Sequence, residues 1–556
     1  MNNLIFDKTT GVKRPKNYDT FNYSDGDQHE NYVYETLKKS TDNSVFSSQL
    51  IAAIKDWPSE YHLSPERANI IRPLEIQPNF DILEVGGGCG AITRYLGETG
   101  AQVTSVEGSL RRAQCIRQRC KDLDNVEVIC SNVYNLTIDK KFDIITLIGV
   151  FEYSAKYSPF ENPFIDSLNY YKQLLKPNGV LVIAIENQLG LKYLSGHEED
   201  HLGKPYVGIE DKYTFKDVRT FGEEDLSFLV TKSGFDNYTF LYPFPDYKFP
   251  KVVFSKEAFF DEQFNCSDLL YSVDVRSYSD KHSAIYDEKL VWPVLEKNRL
   301  LSSTSNSFLL IVQNSEQAKD VLKPVLASFY TTNRNRIYNT ETLFSKPNQE
   351  VEVRKLRLES SDKLSISNGD ISHELDIGKY VVGDNIGCLI YRAVEKNNQK
   401  RLFELFSQWI NHLTDFGTEG EKSKDSRKVL IKAEYFDCIP SNLILNSKGD
   451  LCYIDQEWLI DKQLTLSYVI LRYLQEVKNF PSFKQNFPSY TSFVNKIFLE
   501  NGLEVPKKSN YLNYRSTEIM LKEAIYKGSK SGPWHDPIYK VIAKKLYYKI
   551  IRLLKF

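Results

Sequence analysis

The chain has 556 residues, a hydrophobic fraction of 41% and a formal net charge of -2, so it is too long for one ordinary domain and two or three are expected. The near-neutral charge does not indicate a nucleic-acid partner, and no run of eighteen or more apolar residues is present to span a membrane. The N-terminal residues lack the apolar segment of a signal peptide, and eight cysteines without a CxxC pair predict reduced thiols in a cytoplasmic protein.

Residues 1–78 are predicted to form a helical cap, because "ENYVYETLKKS" and "SSQLIAAIKDW" carry apolar residues at helical spacing. From Asp81 onward, apolar strands alternate with helices, which is typical of a parallel sheet covered on both faces. A last helix and a closing hairpin are expected near 225–247. This pattern predicts a first domain over residues 79–255.

Residues 256–320 show no clear pattern and are interpreted as a connecting region. Residues 321–556 carry strand-like segments followed by amphipathic helices and are predicted to form a second domain. Its last segment, "YKVIAKKLYYKIIRLLKF", interleaves cations with apolar residues. Such a helix can lie on an anionic membrane surface, and the alternative is a last helix packed on the second domain.

A glycine cluster follows the first predicted strand, in "LEVGGGCGAITRYL". Glycines there allow a tight turn and a close approach of the backbone to a ligand. Glu107 ends the next strand, where a carboxylate can accept two ribose hydroxyls. Because Gly86, Gly88 and Ala91 also satisfy the looser GxGxxA pattern, a nicotinamide-dependent oxidoreductase remains an alternative.

Four segments in order, "LEVGGGCGAITRYL", "SVEGS", "FDIITLIGVFEY" and "LLKPNGVLVIAIENQLG", resemble class I S-adenosylmethionine-dependent methyltransferases over about residues 75–250. The resemblance implies an α/β fold with a Rossmann-like, seven-stranded methyltransferase sheet. It implies that Glu107 holds the cofactor ribose and that Asn132, where the family often has an Asp, contacts the adenine amine. It also implies four residues along the methionine part of the cofactor, namely Glu84, Gly86, Gly88 and Gly90.

Catalytic candidates follow the fourth and fifth predicted strands, because ligands bind at the carboxyl ends of parallel strands. Glu152 and Tyr153 come after "LIGVF", Glu186 and Asn187 come after "VLVIAI", and "GHEEDHLG" adds a polar loop. We predict Glu152, Tyr153 and His201 as catalytic residues, with His201 as general base. Two alternatives for the loop are a solvated His201 and a metal site formed by His197, Glu199, Asp200 and His201.

The second domain contains "YFDCIPSNLILNSKGDLCYIDQEW", which resembles the catalytic and metal-binding loops of the protein-kinase-like fold, closest in style to aminoglycoside phosphotransferases. The resemblance implies an α+β domain in which Asp437 is catalytic and orients the acceptor hydroxyl. Asn442 and Asp455 would hold Mg²⁺, and Lys355 would contact the phosphates of ATP. Tyr435 stands where a His is usual and no glycine-rich phosphate loop is evident, so an inactive pseudokinase is the alternative.

The combination of these two domains resembles bifunctional enzymes that modify the ends of bacterial surface polysaccharides. It implies O-methylation of a sugar or phosphate group on a cell-surface glycan, with the kinase-like domain phosphorylating or binding the acceptor. The expected partner is therefore a glycan or small-molecule acceptor, in a cytoplasmic protein with a peripheral contact to the inner face of the cell membrane. Competing hypotheses are a small-molecule methyltransferase with a pseudokinase scaffold, an assembly protein with relic pockets, and the oxidoreductase.

Overall fold

A computed structural model describes residues 4–16, 26–235, 237–273, 285–314, 321–359, 363–375, 377–420 and 423–526. The chain divides into two compact units. The first consists of the described parts of Met1–Phe260 and Val273–Arg336. The second consists of the described parts of Asp261–Ser272 and Ile337–Lys527.

Strands and helices alternate through the first unit, and shorter strands precede a helical part in the second. The described strands of the first unit are β1 (Leu4–Asp7), β2 (Val12–Pro15), β3 (Asp81–Val85), β4 (Gln102–Glu107), β5 (Val126–Cys130), β6 (Phe142–Ile148), β7 (Leu175–Glu186), β8 (Asn237–Phe244), β9 (Val252–Ser255), β10 (Ser307–Gln313) and β11 (Ala327–Thr331). Those of the second unit are β12 (Thr340–Ser345), β13 (Glu352–Arg357), β14 (Ser365–Asn368), β15 (Ile371–Glu374), β16 (Ile377–Lys379), β17 (Gly383–Asn385), β18 (Thr418–Glu419), β19 (Leu430–Ile431), β20 (Leu443–Asn446), β21 (Leu451–Tyr453), β22 (Trp458–Ile460) and β23 (Leu464–Thr465). The described helices are α1 (Asp27–Lys39), α2 (Ser48–Ala52), α3 (Trp57–Leu63), α4 (Ala91–Glu98), α5 (Leu110–Arg119), α6 (Ser154–Tyr157), α7 (Pro163–Leu174), α8 (Leu191–Leu194), α9 (Glu223–Lys232), α10 (Cys266–Tyr271), α11 (Glu288–Lys297), α12 (Leu301–Thr304), α13 (Ile386–Glu395), α14 (Gln399–Phe416), α15 (Leu466–Val477), α16 (Phe483–Asn486), α17 (Tyr490–Glu500) and α18 (Lys508–Tyr526).

The first unit is built on one large mixed sheet with the strand order β1-β2-β5-β4-β3-β6-β7-β10-β8-β9-β11. The strands from β5 to β7 are parallel to their neighbours, and β6 is buried along its whole length. A parallel sheet of this kind is covered on both faces by its crossover helices. The predicted α/β class is confirmed, and the sheet has more than the seven strands expected.

One strand of this sheet comes from a part of the chain that the sequence analysis assigned to the connecting region. β10 pairs antiparallel with both β7 and β8, so that Leu310 lies opposite Ile183 on one side and Phe240 on the other. The expected hairpin near 225–247 is instead β8 paired with β9. The strand that fills the edge of β7 therefore follows a long insertion after β8 and lies beyond the boundary expected at 255.

The N-terminal residues contain helices α1 to α3, preceded by the β1–β2 hairpin at the polar start of the region predicted as a helical cap. β2 joins the sheet beside β5, with Lys13 opposite Ile129. Helix α3 begins at a capping box between Asp56 and Ser59, which fixes its first turn. Through this helix the N-terminal region contributes side chains to the site described below.

The second unit has an α+β composition with its own core. Its strands form three-stranded groups in the orders β12-β13-β16, β14-β15-β22, β17-β20-β21 and β18-β19-β23. Helices α14 and α15 supply a large share of the core, where the fully buried Trp409 donates a hydrogen bond from Nε1 to the Cys438 carbonyl, 2.9 Å away. The α+β composition agrees with the sequence analysis, and the kinase-like fold stays a prediction.

The sequence analysis made two predictions about membranes, one on membrane-spanning helices and one on the C-terminal segment. Among the residues that the structure describes, no helix has the length and apolar character needed to span a bilayer. The basic amphipathic segment at 540–556 lies outside the described residues.

Candidate functional site

The loop between β3 and α4 has a backbone conformation that depends on glycine. Gly86, Gly88 and Gly90 have φ angles of 75°, 56° and 83°, in the left-handed region that other residues rarely adopt. A Cβ atom on Gly90 would lie 3.1 Å from Ile116 Cα in α5, whereas one on Gly88 would meet nothing within 4 Å. Gly90 thus permits close helix packing, and Gly88 faces open space that can accommodate a ligand.

Glu107 at the end of β4 is buried and holds this loop. Its Oε2 accepts a hydrogen bond from the Gly88 N–H and its Oε1 accepts one from the Ser109 N–H, both at 2.8 Å. Burial raises the pKa of this carboxyl above its usual value. The position at the carboxyl end of the second strand is the one predicted for the ribose contact.

Glu84 at the end of β3 is also buried. Its Oε2 accepts hydrogen bonds from Thr93 Oγ1 at 2.5 Å and Ser105 Oγ at 2.6 Å. Burial raises the pKa of Glu84 to about 7. Glu84 can therefore change its charge near neutral pH, at the rim of the glycine loop.

A pocket opens over the glycine loop, and its far wall comes from the N-terminal region. Tyr61, His62, Arg67 and Ile148 line the pocket together with Glu84 and the loop itself. Arg67 is fixed by a hydrogen bond from Nη1 to the carbonyl oxygen of Lys248, 2.7 Å away. The sequence analysis did not single out the three N-terminal residues, because their helices have an ordinary amphipathic pattern.

Asn132 lies just after β5, as predicted, with its side chain engaged by the backbone. Its Oδ1 accepts from the Tyr134 N–H at 3.2 Å, and its Nδ2 donates to the Tyr157 carbonyl at 3.0 Å. The amide caps the short turn that follows the strand. A contact with adenine stays a prediction, because these partners would have to be exchanged or shared.

The three catalytic candidates of the first unit converge with Glu186 beyond the ends of β6 and β7. Glu152, Glu186 and His201 each place one carboxylate oxygen or imidazole nitrogen within 4.8 Å of the others. His201 Nε2 lies 3.4 Å from Glu186 Oε2, and His201 Nδ1 lies 3.2 Å from the Tyr153 hydroxyl. The His201 side chain is only 10% exposed and lies in a polar cluster, which does not fit the alternative of a solvated loop histidine.

The charges in this cluster are strongly perturbed. Glu152 is fully buried, and burial followed by the charge of Glu186 raises the pKa of Glu152 to about 8. Burial opposes ionisation of Glu186, but the cations of Lys248 and His201 hold its pKa well below the usual range. Burial alone would lower the pKa of His201, but the charge of Glu186 raises it to about 9. At neutral pH, the ligand-free cluster therefore has a neutral Glu152, an ionised Glu186 and a protonated His201.

Two lysines that the sequence analysis missed complete the electrostatics of the cluster. Lys248 Nζ lies 2.5 Å from Glu186 Oε1 and also contacts Asp200, while Lys192 Nζ lies 2.9 Å from Asp200 Oδ2. Lys248 belongs to the loop between β8 and β9, far along the chain from β7. The sequence does contain one indication of the role of Lys248, because it is a lysine within the apolar and aromatic segment "PFPDYKFP".

The predicted metal site within the loop "GHEEDHLG" does not form as expected. His197 Nδ1 lies 2.9 Å from the Lys192 carbonyl and 2.8 Å from Ser195 Oγ, and Asp200 pairs with the two lysines. Within the described part of the chain, the group of potential ligands that converges is Glu152, Glu186 and His201. His197 and His201 therefore have different contacts, although they are only four residues apart.

In the second unit, the structure brings the predicted kinase-like residues together in pairs. Lys355 on β13 forms an ion pair with Asp455, and its Nζ lies 2.6 Å from Glu457 Oε2. Asn442 Nδ2 donates to Asp437 Oδ2 at 3.0 Å. The segments carrying Asn442 and Asp455 are neighbours, because the Ile454 N–H donates to the Asn442 carbonyl next to the β20–β21 pairing.

Arg472 adds a contact that the sequence analysis missed. Its Nη1 lies 2.6 Å from Asp437 Oδ1, so the predicted catalytic carboxylate is paired with a cation. Arg472 lies on α15, in a strongly apolar helix whose pattern is explained by core packing alone. Because the apolar pattern of α15 predicts core packing, it gives no indication that Arg472 contacts the predicted site.

Comparisons with known proteins bear on the first unit. Residues 83–183 match the family described as "Methyltransferase domain". Demethylmenaquinone methyltransferase from Tropheryma whipplei is 29% identical over 168 residues, covering 28% of this chain and 66% of that protein. Ribosomal RNA small subunit methyltransferase A from Streptococcus thermophilus is 32% identical over 83 residues, covering 15% of this chain and 27% of that protein. A solved S-adenosylmethionine-dependent methyltransferase from Thermotoga maritima, a possible histamine N-methyltransferase, is 15% identical with a TM-score of 0.26, covering 45% of this chain and 87% of that one.

The family match, the strand–glycine loop–helix geometry and Glu107 agree with one another. Residues 83–183 of the first unit match a methyltransferase domain. The chain spans slightly less than two thirds of the first curated relative and a smaller part of the second.

Proposed function

We propose that the protein transfers a methyl group from S-adenosylmethionine to an oxygen atom of an acceptor bound beside Glu152, Tyr153 and His201. One observation carries the proposal: the pocket over the glycine loop and the buried polar cluster follow neighbouring strands of one sheet. Ile148, the last residue of β6, lines the pocket, and Glu152 follows it by four residues. Ligands of parallel α/β sheets bind at this edge.

The residues of the pocket fit the cofactor. Open space at Gly88 can receive it, Glu107 offers a carboxylate to the ribose hydroxyls, and Glu84 can be ionised near a cationic sulfonium. The cofactor supplies the reactive methyl group, so the task of the protein is to align the acceptor and exclude water. Tyr61 and His62 from the N-terminal region close the pocket from the opposite side.

An acceptor hydroxyl must lose its proton as the new bond to carbon forms. The cluster of Glu152, Glu186 and His201 holds the proton-accepting groups nearest to the proposed acceptor position, and Tyr153 contacts His201. We propose that His201 removes the proton when its imidazole is neutral, a form that the charge of Glu186 disfavours at neutral pH, and that Tyr153 positions the acceptor.

The acceptor that we propose is a sugar or phosphate group of a cell-surface glycan, with a small molecule as the alternative. Support comes from the order of the two domains in the sequence and from a net charge of only -2, which does not favour a nucleic acid. The names of the two curated relatives refer to different acceptors, a quinone and ribosomal RNA, and so do not single out one class.

Binding of the cofactor is tested by thermal unfolding of the full chain. S-adenosylhomocysteine should raise the melting temperature and NAD should not, because a ligand that binds the native state stabilises it by mass action. Glu107→Ala should lose most of this response. A response to NAD without one to S-adenosylhomocysteine would favour the oxidoreductase and overturn the proposal.

The acceptor is tested with labelled S-adenosylmethionine and glycan fractions from the host. Label should enter an oxygen of a glycan, and His201→Asn should slow its transfer while keeping the response to S-adenosylhomocysteine. Label in lipid or small-molecule fractions alone would contradict the glycan assignment and leave methyl transfer intact.

A second activity, phosphoryl transfer by the second unit, is favoured by the pairing of Lys355 with Asp455 and of Asn442 with Asp437. We propose that Lys355 contacts nucleotide phosphates and that Asn442 and Asp455 hold Mg²⁺. In that case the ion pair between Arg472 and Asp437 would either break when the acceptor binds or hold the Asp437 carboxylate in its orientation toward the acceptor.

Calorimetry with ATP and Mg²⁺ tests this second activity. ATP should bind only with Mg²⁺, and Asp455→Asn should abolish binding while leaving the response to S-adenosylhomocysteine unchanged. Asp437→Ala should keep nucleotide binding and lose phosphoryl transfer. Absence of heat and of stabilisation in the wild-type chain would make the second unit a pseudokinase.

A further inference from the structure

The buried cluster beyond β6 and β7 has the geometry of a metal site. We propose that Glu152, Glu186 and His201 bind a divalent transition-metal cation such as Mn²⁺ or Zn²⁺. His201 Nε2 and Glu186 Oε2 are 3.4 Å apart. Two ligands of one cation with bonds of about 2.1 Å lie roughly 3 to 3.5 Å apart, so these two atoms already have a suitable separation. The third ligand, Glu152, has a carboxylate oxygen within 4.8 Å of both atoms.

The surroundings of Glu152 provide a second, independent observation. Glu152 is completely buried, and within the described residues neither of its carboxylate oxygens has a hydrogen-bond partner. A buried polar group without a partner costs free energy, so such groups normally pair with a donor, a water molecule or a metal. A cation between Glu152, Glu186 and His201 would supply this missing partner.

The charges around the cluster are compatible with a divalent ion. Four carboxylates, from Glu152, Glu186, Glu199 and Asp200, interact with the same groups as the two ammonium ions of Lys192 and Lys248. When His201 is neutral, as a metal ligand must be, these carboxylates outnumber the two lysines. The buried Asp246 beside Lys248 adds a further carboxylate, so the surroundings favour a multiply charged cation.

Neighbouring residues orient the proposed ligands. Lys248 Nζ donates to Oε1 of Glu186 at 2.5 Å, and the other oxygen of Glu186, Oε2, is the one near His201. The Tyr153 hydroxyl contacts Nδ1 of His201 and leaves Nε2 for the metal. Contacts of this kind fix the orientation of metal ligands in proteins.

The donor set also limits the class of metal. One imidazole and two carboxylates suit Mn²⁺, Fe²⁺ or Zn²⁺, whereas Mg²⁺ and Ca²⁺ prefer oxygen ligands alone. Three protein ligands leave at least one coordination position for water or for an acceptor oxygen. The metal could lower the pKa of an acceptor hydroxyl, and this role rests on the proposed methyl transfer. The proposal that the site binds a metal does not rest on methyl transfer.

Direct binding measurements on the full chain test the site without reference to activity. After removal of metals with a chelator, the wild type should bind one equivalent of Co²⁺, with the visible absorption of a nitrogen–oxygen site, and Zn²⁺ should displace it. Glu152→Gln and His201→Asn should each weaken Co²⁺ binding by at least about 100-fold, as expected when a ligand is lost.

Glu288→Gln serves as a matched control. Glu288 is a buried glutamate whose carboxylate oxygens also lack hydrogen-bond partners within the described residues. It interacts with Lys192 but is not one of the three converging ligand groups. This variant should bind Co²⁺ like the wild type. The response of each variant to S-adenosylhomocysteine shows that it is folded and tests the cofactor pocket separately. Failure of the wild type to bind Co²⁺, Zn²⁺ or Mn²⁺, or equal binding by both ligand variants, would overturn the proposal.

Discussion

At the scale of single residues, Glu84 couples the cofactor pocket to pH. Its pKa is raised to about 7 by burial, so the ligand-free protein protonates it below neutral pH. S-adenosylmethionine carries a positive sulfonium, which favours the ionised form, whereas S-adenosylhomocysteine has no such charge. Affinity for S-adenosylmethionine, relative to S-adenosylhomocysteine, should therefore increase as the pH rises through 7. A shift of about one pKa unit on binding corresponds to about tenfold in affinity.

Titration calorimetry at pH 6 and pH 8 measures this difference, and Glu84→Gln provides the control. The amide keeps an oxygen that can accept from Thr93 and Ser105 but cannot ionise. The variant should show the same preference between the two ligands at both pH values. A pH-dependent preference that persists in Glu84→Gln would show that another group is responsible.

The residues of the site differ in how far the sequence could predict them. The glycine loop and Glu107 lie within one strand–helix–strand unit, so their spacing alone places them together. Lys248 and Arg67 reach their positions only through tertiary contacts. Arg67 has no sequence pattern of its own, and the one signal for Lys248 is its place in an apolar and aromatic segment. The convergence of Glu152 with His201 was predicted only as a shared edge of the sheet, because the long loop carrying His201 has no regular spacing.

At the scale of secondary-structure elements, β10 determines whether the first unit is complete. Its residues Phe308 to Val312 are at most 1% exposed, between β7 and β8. Burial of each such side chain is worth about 1.5 to 3 kcal/mol, so five together amount to about 10 kcal/mol, comparable to the stability of a whole domain. A chain ending at Ser255 should therefore aggregate, and a chain ending at Arg336 should fold.

Circular dichroism and the response to S-adenosylhomocysteine check this expectation. Both chains contain the glycine loop, Glu107 and the N-terminal helices, so the comparison isolates the segment after β9. A soluble chain ending at Ser255 that binds S-adenosylhomocysteine would show that β10 is dispensable.

The position of β10 also shows why the boundary near 255 could not be found from local patterns. The segment "SFLLIVQ" has the apolar character of a buried strand, but its partners lie more than sixty residues earlier in the chain. Most sequential strands are neighbours in their sheet, which favoured a local hairpin near 225–247. The hairpin exists as β8 and β9, and the strand between β7 and β8 is supplied from further along the chain.

At the scale of the whole molecule, the two units differ in how much the sequence revealed. The first was predicted from four ordered motifs, each tied to a strand of the sheet. In the second, one loop and hairpin carries Asp437, Asn442 and Asp455. The structure pairs Asn442 with Asp437 and Lys355 with Asp455, and their kinase-like roles stay predictions. The ion pair of Arg472 with Asp437 joins two elements 35 residues apart and has no local signal.

The last prediction concerns attachment of the whole protein to a membrane through its C-terminal segment. Six cations, interleaved with apolar residues, occur there without an acid, at Lys540, Lys544, Lys545, Lys549, Arg552 and Lys555. Each cation near an anionic surface contributes about 1 kcal/mol, so several together should give attachment that weakens with salt. The full chain should co-sediment with vesicles containing phosphatidylserine at low salt, and a chain ending at Tyr539 should stay in the supernatant. A full-length variant with Lys544, Lys545 and Lys549 changed to Gln keeps the length and most of the apolar surface, and it should bind more weakly than the wild type. The membrane hypothesis fails if the second unit is unfolded in the shortened chain, or if the three substitutions leave sedimentation unchanged. The segment would then be needed for packing within the protein.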